Sequence, residues 1–106
     1  IKSAEVNNNV AIAITPKNVD TVIVAKAADE LLNISGINVS FVLGEIKNEI
    51  YISGRSLGDI NIQVVLEALG GGGHMNIAGA NLSDITMDEA VQKLKESMKK
   101  NLRIGE

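Results

Sequence analysis

The chain has 106 residues, a net charge of -3, 45% apolar residues and only 2% aromatic residues. One small domain of this length removes roughly 60 to 70 % of its unfolded surface from water, and a core almost without aromatics must come from Ile, Val, Leu and Ala, a composition that suits an α/β layer fold. So much apolar surface with so little net charge excludes disorder, and the absence of cysteine excludes disulfides, thiolate zinc sites and cysteine nucleophiles.

No apolar run approaches the ~20 residues of a membrane helix, and no charged stretch followed by an apolar one marks a signal peptide, so the piece is expected to be soluble. It starts at Ile1 rather than Met, as expected of a segment of a longer protein whose other parts can include a membrane anchor. An acidic balance opposes a broad grip on duplex DNA, which needs many Lys and Arg contacts to phosphate. Any anion site must be local.

Val10 to Ile14 is a short apolar run stopped by Thr15 and Pro16, which fits a buried strand. A helix is predicted from Val19 to Leu32, with Val19, Val22, Ile23, Ala27, Leu31 and Leu32 at helical spacing and Asn18 or Asp20 as N-cap. Ile37, Val39, Phe41 and Leu43 alternate with Asn38, Ser40 and Val42, as in a strand. Glu49 to Leu57 alternates likewise, and Lys47 and Asn48 can turn the chain, which gives an antiparallel hairpin. Tyr51, Ser53 and Arg55 then share an exposed polar face on which a ligand can sit, and Ile50, Ile52 and Gly54 share the apolar one.

Asn61 can cap a helix running to about Leu69, with Val64, Val65, Ala68 and Leu69 inward and Gly70 as its left-handed end. After the glycines and His74, Asn76 to Leu82 is weakly strand-like. Thr86 and Glu89 form a capping box for a last helix with Val91, Leu94, Met98 and Leu102 inward. The whole is a single small α/β domain, a mixed β-sheet with flanking helices.

Four consecutive glycines, Gly70 to Gly73, precede His74. Such a run costs backbone entropy and is kept where the chain must adopt positive φ or approach something closely. Successive N–H groups without Cβ atoms can converge on an anion, with His74 as a further donor. The same residues also fit a flexible connector with a surface histidine. The small Ala78, Gly79 and Ala80 either pack closely against the glycines or admit a flat base. Neither G-x-G-x-x-G nor a Walker pattern is present, which excludes the common dinucleotide and P-loop fingerprints. Arg55 offers a fork of donors to a phosphodiester, helped by Ser53 and Ser56, or pairs with Asp59 or Glu49 on the surface. Tyr51 can stack on a base or cover the core edge. Lys93, Lys95, Lys99 and Lys100 fit a solvated helix face that complements the macrodipole. The aspartates are scattered, and the single histidine has no paired carboxylate or nucleophile at a recognisable spacing, so catalysis by this chain alone is not expected.

The stretches Ser53-Gly54-Arg55-Ser56-Leu57-Gly58-Asp59-Ile60-Asn61-Ile62-Gln63-Val64 and Gly70-Gly71-Gly72-Gly73-His74-Met75-Asn76-Ile77-Ala78-Gly79 resemble the DHH-associated C-terminal domain of the DHH phosphoesterase family, most closely its cyclic-di-AMP phosphodiesterase branch of the GdpP type. The resemblance extends over nearly the whole chain. It implies a bacterial hydrolase in which a separate DHH domain holds two manganese ions and activates water, while this domain closes the cleft and holds the nucleotide. By the same resemblance, Gly71, Gly72, Gly73 and His74 match the substrate-binding loop and Arg55 with Ser56 matches the phosphate contacts. No catalytic residue, metal ligand or cofactor is assigned to this chain. The implied partners are a cyclic dinucleotide or short oligonucleotide, the parent's own DHH domain and, as one option, a second copy in a homodimer, with no membrane contact by this domain and a cytoplasmic location. The rival substrates within the family are nanoRNA, 3'-phosphoadenosine-5'-phosphate and single-stranded nucleic acid. A binding module for nucleic acid with no part in hydrolysis is the reading from another class. Ile77, where relatives often carry a smaller residue, either narrows the base pocket or fills core.

Overall fold

A computed structural model describes residues 3–102. Six strands form one open mixed sheet in the order β1-β2-β3-β4-β6-β5, where β1 is Ser3–Asn7, β2 Val10–Ile14, β3 Val39–Ile46, β4 Glu49–Ser56, β5 Gly72–His74 and β6 Ile77–Ser83. Three helices pack on it: α1 (Thr21–Leu32) on one face, and α2 (Gln63–Glu67) with α3 (Met87–Leu102) on the other. Only β2 and β3 run parallel, joined through α1; the remaining neighbours are antiparallel. The α/β class and mixed sheet expected from the pattern are what the chain adopts.

Local chemistry explains the joints. Asp20 is the N-cap of α1, its carboxylate accepting from Ile23 N at 2.9 Å, which satisfies one of the orphan donors of the first turn. In α3, Thr86 N donates to Glu89 Oε1 at 2.9 Å and Glu89 N to Thr86 Oγ1 at 3.1 Å, the reciprocal bonds of the predicted capping box. The β3–β4 hairpin turns at Lys47 and Asn48 with φ of 50° and 67°, the paired left-handed residues that match the twist of two-residue hairpins.

Two cores follow from the two sheet faces. Val39, Phe41, Leu43, Ile50 and Ile52 turn toward α2 and α3 and join Ile62, Val65, Leu66 and Leu94 there. Ala11, Ala13 and Val42 turn toward Val24, Ala27, Ala28 and Leu31 of α1. Each fully buried Ile, Leu or Phe contributes about 1.5–3 kcal/mol relative to exposure, so the α2/α3 layer carries the larger share of the apolar stabilisation.

Several sequence expectations need correction. The strand β1, not predicted, pairs with β2 through a turn at Asn8 and Asn9 with φ of 54° and 67°. The apolar stripe of α1 is rotated: Val22 and Ile23 are 63% and 47% exposed, while Val24 and Ala28 are buried, because the helix lies closely over β3 and β4, where the bare backbone of Gly44 leaves room for Val24 and Ser40 Oγ donates to Ala28 O at 2.7 Å. Ile37 lies ahead of β3 and packs into the α1 cluster, separately from Val39, Phe41 and Leu43. The second helix ends at Glu67 rather than near Leu69, with Leu66 buried and Ala68 exposed; its N-cap is Ile62 rather than Asn61, with no side-chain cap bond, and Asn61 accepts from Gln63 N at 3.0 Å from one position outside.

Candidate functional site

Strand register decides which residues meet. Partners directly opposite in a ladder share a sheet face, and alternate residues along a strand change face. Ser40, Arg55, Ile77 and His74 are successive partners across β3, β4, β6 and β5, and therefore line up on the α1 face; Ser53, Gly79 and Gly72 form the next row and Tyr51 with Asn81 the one beyond. Over β2 to β4 this face is covered by α1, and Ser40 and Ser53 are buried. The polar hairpin face predicted to be exposed is thus mostly beneath a helix. Past the flank of α1 the cover stops. Ile77 is 56% exposed and His74 is also exposed, so β6 and β5 form an open shelf beside the helix.

Arg55 stands where the shelf meets α1. Its Nε donates to Asp29 Oδ1 at 2.7 Å, and its Nη1 donates to Ser53 Oγ and to Gly54 O, each at 2.9 Å. The ion-pair partner is Asp29 of α1, in place of the Asp59 or Glu49 expected from sequence proximity. Two strand spacings away, about 9–10 Å by ordinary sheet geometry, His74 occupies the other end of the row. Between them Ile77 offers apolar surface, and the adjacent Gly72–Gly79 row lacks side chains, which leaves a flat floor. Tyr51 reaches over the Gly79 end of that floor, where a Cβ built on Gly79 would stand 3.1 Å from its hydroxyl, whereas nothing lies within 4 Å of one on Gly72, so the open part of the floor is at Gly72.

The four glycines do not curl into one anion-binding concavity. Gly70, with φ 89°, is the left-handed end of α2; its N–H donates to Glu67 O at 3.0 Å and that of Gly71 to Leu66 O at 2.8 Å. These two donors are consumed by the paired bonds that terminate the helix. Gly72 and Gly73 enter β5, which hydrogen-bonds β6 on one side and lies at the sheet edge on the other. Backbone N–H groups along such an edge have no ladder partner and remain available to an anion.

Close approach explains two further glycines. A Cβ on Gly71 would collide with Gly79 O and Ala80, and one on Gly73 would come within 2.5 Å of Ile77 O, whereas nothing lies within 4 Å of one on Gly72. Gly73 also has φ 147°, which side chains disfavour. Of the six residues singled out from the sequence, Arg55, Gly72 and His74 meet on the shelf face, while Gly71, Gly73 and Ser56 belong to the opposite one. Ser56 is buried there, its Oγ donating to Ile60 O at 2.6 Å, lying 3.3 Å from Met75 O, and accepting from Asn76 Nδ2 at 2.9 Å. It anchors the turn after His74.

Asn76 and Asp29 were not identified from sequence. Asn76 sat within the motif and its side chain fastens the turn to Ser56, Gly58 and Ile60; an amide directly after a turn residue was the available signal. Asp29 lies 26 positions from Arg55, and no local pattern links them. Among the described residues no three His, Asp or Glu side chains come together as a metal site. Among them, too, no helix is long and apolar enough to cross a membrane.

Residues 7–101 match the model of the DHHA1 domain family, and the chain belongs to that family. It is similar in particular to the cyclic-di-AMP phosphodiesterase GdpP of Geobacillus thermodenitrificans, with 50% identity over 74% of this chain and 12% of that protein, and to GdpP of Bacillus subtilis, with 42% identity over 86% of this chain and 15% of that protein. The chain thus spans less than a sixth of the length of these relatives. An exopolyphosphatase-related protein from Bacteroides fragilis shares the fold, with a TM-score of 0.78 and 24% identity over 92% of this chain and 31% of that one.

Proposed function

We propose that this domain holds a phosphodiester of an adenine dinucleotide on the β4–β6–β5 shelf, as the nucleotide-gripping part of a phosphodiesterase that opens cyclic-di-AMP to the linear dinucleotide. The observation that carries the reading is the single row Arg55–Ile77–His74 on an uncovered sheet face. Cationic and imidazole donors at its two ends suit phosphate oxygens, and the bare backbone at Gly72, open beside the Tyr51 ring end over Gly79, suits a flat base. Similarity to GdpP proteins supports the choice of dinucleotide. Hydrolysis, and the manganese it uses, belong in this proposal to a separate DHH domain, a reading supported by similarity to GdpP proteins of which this chain covers only 12% and 15%. This chain grips and orients; it supplies no attacking group.

An amide-resolved titration of the labelled chain with cyclic-di-AMP, its linear product and 3'-phosphoadenosine-5'-phosphate tests the reading. Saturable shifts at Gly72, His74, Ile77 and Arg55 are expected, strongest for the true substrate class, and both His74→Ala and Arg55→Ala should weaken them while the fold persists. Absence of saturable shifts up to millimolar ligand overturns binding by this chain. A second reading, a short linear oligonucleotide as ligand, is favoured by the open outer edge at β5, where Gly73 and His74 are exposed. Tighter binding of linear than of cyclic dinucleotide would select it.

A further inference from the structure

The Arg55 side chain is only 11% exposed, whereas its partner Asp29 is 59% exposed. A guanidinium carries five N–H donors, one on Nε and two on each Nη. Here Nε is taken by Asp29 from α1, and Nη1 by Ser53 and the Gly54 carbonyl from β4. Bonds from two different elements fix both the position and the plane of the group. Among the described residues nothing accepts from Nη2.

We infer that Asp29 is a positioning residue for ligand binding: by accepting from Nε it locks the Arg55 guanidinium against β4 and leaves Nη2 as the edge presented to a phosphate oxygen. The inference rests on the shelf being a phosphodiester site. Its chemical consequence is specific. With Nε occupied, Arg55 cannot offer the side-on Nε/Nη2 fork that grips two oxygens of one phosphate; it contacts the phosphodiester end-on through Nη2. The opposite role for the same carboxylate is competition, in which Asp29 neutralises Arg55 and weakens anion binding. The two roles predict opposite effects of removing it.

The experiment titrates labelled wild-type, Asp29→Ala, Asp29→Asn and Arg55→Ala chains with cyclic-di-AMP and with its linear product, following backbone amides and the arginine Nε–Hε resonances. In the free wild-type chain the Arg55 Nε–Hε proton should be protected from exchange, and Asp29→Ala should abolish that protection. Asp29→Ala should weaken binding about tenfold, the scale of one charge-assisted hydrogen bond. Asp29→Asn keeps an acceptor oxygen without the charge and should stay within about threefold of wild type. Ligand shifts at Gly72 and His74 should persist in Asp29→Ala at higher ligand concentration, which loss of folding would not allow. If Asp29→Ala binds as tightly as wild type or tighter while Arg55→Ala is weakened, the positioning role is overturned and the shelf reading stands. If wild type shows no saturable binding, the shelf reading is overturned and this inference with it.

Discussion

Asn76 Nδ2 donates to Ser56 Oγ at 2.9 Å, and the backbone of the same two residues is joined by Ser56 N to Asn76 O at 3.0 Å. Two bonds between residues 20 apart fasten the β5–β6 turn to the end of β4, and so tie the turn that follows His74 to the strand end that carries Arg55.

Ser56→Ala should therefore act through the scaffold rather than through a lost phosphate contact. It removes a buried hydroxyl that donates to Ile60 O and accepts from Asn76, at a cost of about 1–3 kcal/mol in unfolding free energy. Asn76→Ala leaves the hydroxyl its other partner and should cost about 1 kcal/mol. Denaturant titration measures both, and hydrogen exchange at Met75 and Ile77 should rise in each. Full stability in Ser56→Ala together with lost ligand binding would instead mean that the hydroxyl touches ligand.

The glycines should separate by face. Gly71→Ala drives a methyl against the Gly79 carbonyl and Ala80, and Gly73→Ala against the Ile77 carbonyl and Ala78; backbone cannot yield cheaply, so each should lose about 1–3 kcal/mol. Gly54→Ala should behave similarly, since its methyl would lie 2.9 Å from Phe41 Cε1 in the α2/α3 core. Gly72→Ala meets open space and should change stability by no more than about 0.5 kcal/mol, while placing a methyl on the shelf floor and weakening nucleotide binding. Thermal midpoints and the dinucleotide titration, run on all four variants, check the pattern; equal destabilisation by Gly72→Ala and Gly71→Ala would contradict the assigned faces.

This division by face marks how far the sequence could be read. Where side-chain chemistry acts on neighbours within three or four residues, as in Asp20 with Ile23, Thr86 with Glu89 and the Lys47–Asn48 turn, the element ends were legible. Asn8 and Asn9 carried the same hairpin signal as Lys47 and Asn48, but the strand before them, Ser3–Asn7, has too little alternation to declare itself. In β5 the residues are Gly-Gly-His, so no pattern of side chains records the pleat, and register alone shows that Gly72 and His74 share a face. Arg55 and His74 were recognisable as candidate donors, whereas their placement in one row, the cover that α1 draws over Ser53, and the Asp29 bond are products of tertiary packing. The motif Arg55-Ser56 looked like one contact pair; adjacent strand residues point to opposite faces, and the pair is divided between shelf and core.

Glu89 supplies a pH-dependent part of stability distant from the shelf. The hydrogen bond from the Thr86 backbone N–H and then the Thr86 side chain hold its carboxyl below the ordinary value of 4.5 against an opposing effect of desolvation, with the nearby Lys93 charge the least of the causes. A carboxylate whose folded pKa is depressed stabilises the native state above its unfolded pKa, and that contribution is lost as pH falls through the lowered folded value. The capping bond of α3 should consequently weaken as pH drops below about 4.5. Glu89→Gln keeps a side-chain oxygen for the Thr86 N–H and removes the titration, so the wild-type advantage in melting temperature at pH 7 should shrink through this acid range and vanish below the folded pKa. Lys93→Ala should narrow the same advantage slightly at low salt, because its contribution is a screened surface interaction. A difference between wild type and Glu89→Gln that stays constant from pH 7 to pH 3 would show that the carboxylate charge contributes nothing to this helix end.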